Sequence, residues 1–237
     1  YKRQEGDDNF YAANAAIKTD GNGLPTDNGY VYLVNEVILP LRTVYSVLSD
    51  ERYSYSVFKH LYDKFTDITY NKDLSSKYAA AGDSLFLYHH KVLPKIASNW
   101  THNQENGFSH NLYQACGTAF NSFIPNDNTL SAYLDSYFSK YDTYDEIPML
   151  QLSFLLGNHV QARNLVLPEM LKDKRVKSGY GDLYDFDVDG AEVKELCSNG
   201  AFYGINKVIV PAMFRSVTAP LLNDPDFSIF TEILNNC

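Results

Sequence analysis

Hydrophobic positions along the chain fall into short blocks whose period changes from one block to the next. Residues 1–27 are polar and rich in Asn, Asp and Gly, with a short mixed segment at residues 11–17. Asn28-Gly29, a pair that tolerates positive φ and so marks a turn, opens an apolar run. There Val31, Leu33, Val37 and Leu39 predict a partly buried strand that stops at Pro40. Helical spacing follows over 41–48 and 53–65, where Tyr55, Phe58, Leu61, Tyr62 and Phe65 recur at three- and four-residue steps. Residues 66–112 read as irregular, apart from a strand-like 84–88. Residues 119–124 predict a short strand ended by Pro125-Asn126-Asp127, and helices are expected over 130–138 and 149–156. Residues 164–191 alternate strand and turn, and 188–193 read as a tight hairpin. With helices early and strands late, the expected class is α+β, not a run of βαβ units.

The strand-like run at Asn28–Pro40 recurs. It aligns without gaps on Asn199–Pro211 at a constant offset of 171 residues, with Asn, Gly, Tyr, Asn, Val, Ile and Pro identical. After one residue of slack the echo resumes, Tyr55-Ser56-Val57-Phe58 against Phe227-Ser228-Ile229-Phe230. Solenoid units run to about 20–50 residues, so this period is that of a whole domain. It predicts the end of one module over 1–40, a complete module over 41–211, and the start of a following module or a tail over 212–237.

Residues of the complete unit resemble the fasciclin-like domain family. Ser198-Asn199-Gly200 through Val208-Ile209-Val210-Pro211 is similar to the family's closing signature, with Asn206 where Asp is usual and Asn35 at the same place in the first copy. Phe123-Ile124-Pro125-Asn126-Asp127 resembles the opening Phe-x-Pro-x-Asp, and Leu155-Leu156-Gly157-Asn158-His159 the central Leu-Leu-x-x-His. The resemblance covers roughly residues 41 to 211. It implies N-terminal helices packed on a mixed or antiparallel β-sheet wedge. Phe123, Pro125, Asp127, His159, Asn199, Gly200, Asn206 and Pro211 would be its structural motif residues. Two departures stand out. Members proposed to bind integrins carry Tyr directly before the central His, where this chain has Asn158, and residues 66–116 form an insertion longer than the family norm.

Composition narrows the function classes. A net charge of -9 argues against nucleic acid, which asks for clustered Lys and Arg. No apolar run approaches the roughly 18 residues of a membrane span. Cys116, Cys197 and Cys237 have no metal-ligand spacing; buried thiols and a Cys116–Cys197 disulfide are both open readings. Asp185-Phe186-Asp187-Val188-Asp189-Gly190 mimics the start of an EF-hand loop, but Leu196 stands where the bidentate Glu belongs. His89 and His90 would point to opposite faces of a strand, and neither His102 nor His110 completes a ligand set, so no metal and no cofactor are expected. No nucleophile motif is present. Asp142, Asp145 and Glu146 lie in a polar loop before Pro148. His159, placed after a helix that stops at Gly157-Asn158, is expected to be buried and bonded to backbone near the orphan helix carbonyls.

The chain carries 19 Tyr and 14 Phe. Most are expected in the core, while Tyr141, Tyr144, Tyr180, Tyr184 and Trp100 are the candidates for ligand contact. The resemblance implies a non-enzymatic adhesion or binding module at the cell surface, with a protein or glycan ligand. A glycan-binding accessory protein of a polysaccharide-uptake system is the second reading, and a hydrolase carried by the 66–116 insertion the third. The Asn, Asp and Tyr usage resembles that of Bacteroidetes surface proteins, which implies a lipid anchor in the outer membrane.

Overall fold

The computed structural model describes residues 11–12, 15–17, 23–39, 41–80, 83–90, 92–93, 96, 119–163, 165–171, 175–187 and 189–235. Pro40, Trp100, His102, His110, Cys116, Val188 and Cys237 lie outside these residues. The chain divides into two compact units, residues 1–42 and 43–237.

The first unit holds two small antiparallel pairs, β1 (Tyr11–Ala12) with β2 (Ala15–Ala16) and β3 (Leu24–Thr26) with β4 (Gly29–Val31). Asn35 ties its halves together, since its Oδ1 accepts the Ala16 N–H at 2.7 Å and its N–H donates to Ala16 O at 3.0 Å. The expectation of a partly buried strand running to Pro40 is corrected. Regular strand ends at Val31, and Tyr30, Val31, Leu33, Val37 and Leu39 are exposed. The physical reason is that among the described residues β4 pairs only with β3, and a two-stranded hairpin is too narrow to bury its own faces.

The second unit is α+β. Helices α1 (Val44–Leu48) and α2 (Ser56–Asp63) precede a two-stranded ribbon, β5 (Thr66–Tyr70) and β6 (Phe86–His90), with α3 (Lys72–Tyr78) between its strands. Residues 66–78 are therefore regular, contrary to the irregular reading, and β6 overlaps the expected strand-like 84–88. Asn71 accepts the Leu74 N–H at 2.8 Å and starts α3, a cap signal hidden among polar residues. Next come β7 (Ala119–Pro125), α4 (Asp127–Tyr137), α5 (Met149–Asn158), β8 (Val160–Arg163), β9 (Arg175–Lys177), β10 (Leu183–Asp185), β11 (Val193–Cys197) and β12 (Gly200–Ile205). Two short helices, α6 (Ala219–Leu222) and α7 (Ser228–Asn235), end the described chain. The hairpin expected at 188–193 does not form. Asp189-Gly190 turn, and the chain then enters β11, whose partner is β12, while β10 pairs with β9.

The main sheet has the order β11-β12-β7-β8, with β12 and β7 parallel and the outer pairs antiparallel. Alternation splits its side chains between two cores. Phe120, Ile124 and Phe202 face the cluster built by α1, α2, α4 and α5, whereas Phe123, Ala201, Tyr203 and Ile205 face a second cluster with Val176 and Phe186. Both central strands are thus covered on both faces, which explains their near-continuous apolar sequence. Phe214 and Leu222 also lie in the first cluster, so residues 212–222 pack within this unit.

Candidate functional site

The three sequence motifs converge at the end of α5. His159 follows that helix and is fully buried. Its Nδ1 lies 2.7 Å from Phe123 O, and the Ile209 N–H donates to Nε2 at 3.2 Å. A backbone N–H can only donate, so Nε2 is the acceptor and the proton sits on Nδ1. The Phe123 N–H returns a bond to His159 O at 2.9 Å, and the Phe58 ring stands edge-on to the imidazole at 5.9 Å. Burial pushes the imidazole pKa down to about 4, only partly opposed by the Phe123 carbonyl. This is a neutral ring with both nitrogens engaged. Its side-chain partners come from β7 and from the segment after β12, not from the helix carbonyls that the sequence suggested.

The other motif residues are equally occupied. Asn199 Oδ1 accepts the Val44 N–H at 2.8 Å and its Nδ2 donates to Ile96 O at 2.8 Å, so one amide anchors α1 beside the sheet. A Cβ at Gly200 would lie 2.1 Å from Phe120 O, so only glycine permits that approach of β12 to β7. Asp127 caps α2 from another element, with Oδ1 accepting the Val57 N–H and Oδ2 the Ser56 hydroxyl, both at 2.8 Å. Phe123 is buried and stacked on Tyr203 at 5.2 Å. Pro125 pairs opposite Ile205, Asn206 is exposed in a bend, and Pro211 caps the short 212–215 helix.

Among the tyrosines proposed for ligand contact, Tyr141 is partly buried against Phe138, and Tyr144 donates to Asp135 Oδ1 at 2.6 Å. Burial raises the pKa of both. Tyr184 is partly buried with its ring edge-on to Phe123 at 5.8 Å, and burial raises its pKa strongly. Tyr180 is 54% exposed, with its hydroxyl donating to Ser153 O at 3.0 Å and its ring against Phe154. Among the described residues no ring contact joins the 141–144 pair to the 180–184 pair, and Trp100 lies outside them.

The acidic candidates are a surface feature. Asp145 Oδ1 lies 2.9 Å from His60 Nε2, and the Lys64 ammonium donates to Asp145 O at 2.7 Å. The His60 bond holds the exposed Asp145 carboxyl below the usual range, which makes it a poor proton donor at neutral pH. Glu146 Oε2 accepts the Asp142 N–H at 3.1 Å. Asp187 Oδ1 accepts the Asp189 N–H at 3.2 Å, and among the described residues no group of three His, Cys, Asp or Glu could hold a metal. His90 is buried against the Tyr62 ring at 3.9 Å, and Cys197 is buried beside Glu195 O.

One surface escaped the sequence reading. On the β5–β6 ribbon, Tyr70 pairs directly opposite Phe86, and their rings meet edge-to-face at 5.9 Å while 54% and 59% exposed. Ile68 and Tyr78 are exposed as well. The available signal was the β-prone Thr-Asp-Ile-Thr-Tyr run at 66–70, which the surrounding polar residues masked.

Comparison with known proteins returns no matching family model and no matching curated protein. Among solved structures, the chain is similar to a FAS1 domain pair from the insect cell adhesion molecule fasciclin I, at 14% sequence identity and a TM-score of 0.38. The match covers 83% of this chain and 60% of that chain.

Proposed function

We propose that this chain is a non-enzymatic binding module of fasciclin-like type that works outside the cell or on an outer-membrane surface. Its contact surface is the aromatic ribbon of the long insertion. The observation that carries the reading is the exposed Tyr70–Phe86 pair, set in the open on a two-stranded ribbon. Apolar rings presented on a rigid element are the usual anchors of a protein partner. The motif residues support the same division of labour, because His159, Asp127 and Asn199 already spend their polar atoms inside the fold.

The test is attachment of intact cells to the immobilised protein, beside the Tyr70→Asp and Phe86→Asp variants. Both variants should keep the melting temperature and lose most attachment. Attachment unchanged in both would refute the ribbon as the contact surface. A screen on generic ester and glycoside substrates should show no turnover, and turnover abolished by one substitution at Asp145 or Glu146 would overturn the non-enzymatic reading.

A glycan ligand is the second reading, favoured by Tyr180. Its ring is exposed yet held by the hydroxyl bond to Ser153 O and by Phe154, as a sugar-stacking platform requires. A glycan array in which Tyr180→Ala abolishes binding and Phe86→Asp does not would select it.

A further inference from the structure

The ribbon β5–β6 is braced at its tip. The Asn71 N–H, where β5 passes into α3, donates to Leu85 O at 3.0 Å, just before β6 begins. From inside α3 the Ser75 hydroxyl accepts the Leu85 N–H at 2.8 Å and donates to Asn71 O at 2.7 Å. Register sets the exposed Ile68, Tyr70 and Phe86 on one face, because Phe86 lies opposite Tyr70 and Ile68 is two residues from it. Paired along its length and closed at the tip, the ribbon keeps its shape. Its aromatic face is re-aimed only from the other end.

That end converges on Tyr62, a fully buried residue of α2. On the incoming side Phe65 is buried, and its N–H donates to Tyr62 O at 3.1 Å immediately before β5 starts. On the outgoing side His90, the last residue of β6, is buried with its ring 3.9 Å from the Tyr62 ring. Thr66 and His90 are the facing pair at this end of the ribbon. Further along, Ile96 is fully buried and its N–H donates to Tyr62 Oη at 3.3 Å. Its carbonyl is held separately, by the Tyr45 N–H at 3.0 Å and by Asn199 Nδ2 at 2.8 Å. The Tyr62 hydroxyl therefore secures the side of Ile96 on which the chain arrives from the ribbon. Carbonyl, ring and hydroxyl of a single residue meet both roots.

We propose that Tyr62 is the positioning residue of the ribbon: it sets the direction in which Ile68, Tyr70 and Phe86 are presented. Its consequence for attachment rests on the ribbon being the contact surface. At the ordinary rise of a strand Tyr70 stands about 13 Å along β5 from Thr66, so a rotation of about 10° at the root moves its backbone by roughly 2 Å. Loss of the hold at Tyr62 thus displaces rings that it does not touch.

Hydrogen exchange of the whole chain tests the proposal in Tyr62→Phe, which keeps the ring and the carbonyl and loses only the hydroxyl. The melting temperature should change little. Amides of β6 should exchange about tenfold faster, while those of α5 and β12 keep their rates. Tyr62→Leu also takes the ring from His90, and it should enlarge the effect and extend it to β5. Tyr55→Phe removes a hydroxyl at the start of the same helix and should leave the ribbon as it was. Unchanged ribbon exchange in Tyr62→Phe would overturn the proposal. So would faster exchange shared equally by α5 and β12, which marks a general loss of stability.

Cell attachment is then measured for Tyr62→Phe, Tyr70→Asp and the double variant. Tyr62→Phe should weaken attachment several-fold and add nothing to Tyr70→Asp, because both act through one surface. Attachment lost in Tyr70→Asp but intact in Tyr62→Phe would overturn the proposal, as would losses that multiply in the double variant. Full attachment by all three, with the ribbon loosened, would refute the ribbon as the contact surface and still support Tyr62 as the residue that holds it.

Discussion

The hairpins β11–β12 and β3–β4 share a register and much of their sequence, and they end in opposite environments. Phe202 is 0% exposed, while Val31 at the matching position is 50% exposed. The difference lies in what stands alongside. β12 has β7 on its second edge, helices on one face and the Phe186 cluster on the other, whereas β4 has β3 alone among the described residues. Burial of an apolar strand is therefore a property of its neighbours. The pair α2 and α7 repeats the lesson for a helix face.

Several substitutions break or sharpen this comparison, beginning with the largest effect. Phe58→Ala should cost about 3–5 kcal/mol by urea unfolding, as expected for a buried aromatic, whereas Phe230→Ala should stay within about 0.5 kcal/mol. Equal losses at the two sites would mean that α7 is packed as tightly as α2. Asn199→Ala strands the Val44 N–H and Ile96 O, and about 1–3 kcal/mol should be lost for each buried group left unsatisfied. Its counterpart Asn28→Ala should move stability by no more than about 0.5 kcal/mol, since its one bond, from the Thr26 hydroxyl, is exposed.

His159 has no counterpart in the first unit, and it gives the second unit a pH dependence of its own. The imidazole titrates at about 4 in the folded protein against 6.5 for the ordinary value. Above 6.5 both states are neutral and its contribution is complete. As pH falls from there towards 4, the unfolded chain takes up a proton that the native site refuses, and stability declines by up to about 1.4 kcal/mol per pH unit. Below about 4 this group removes nothing further. Urea midpoints at pH 7, 6 and 5 should show the decline, and His159→Gln should flatten it. Asp127→Ala is expected to cost about 1 kcal/mol for a lost helix cap. It should appear as faster amide exchange at Val57 with no change at Ile229.

Legibility from sequence followed the range of the interactions. The α+β class and the positions of α2, β7, α5 and β12 could be read because hydrophobic period and turn residues are local signals. α4 began at Asp127, earlier than its apolar run, because Asn126 accepts the Thr129 N–H at 3.0 Å and starts the helix before any apolar residue. Of the ribbon, the strand-like 84–88 overlaps β6, whereas β5 was missed because its partner lies beyond α3 and because Ile68 and Tyr70 are exposed, which removes the polar–apolar alternation of a half-buried strand.

The sequence by itself determined the repeat, the turn at each Asn-Gly and the apolar character of both strands that follow. Those are written in residue identity and spacing. Tertiary structure alone decided which copy is buried, that Asp127 caps a helix seventy residues away (from Asp127 to Val57), and that His159 bonds Phe123 and Ile209. Each of these needs two distant segments at hydrogen-bond or van der Waals distance. Two copies of one pattern carry the same local propensity and part only when the rest of the chain supplies, or withholds, a surface to pack against.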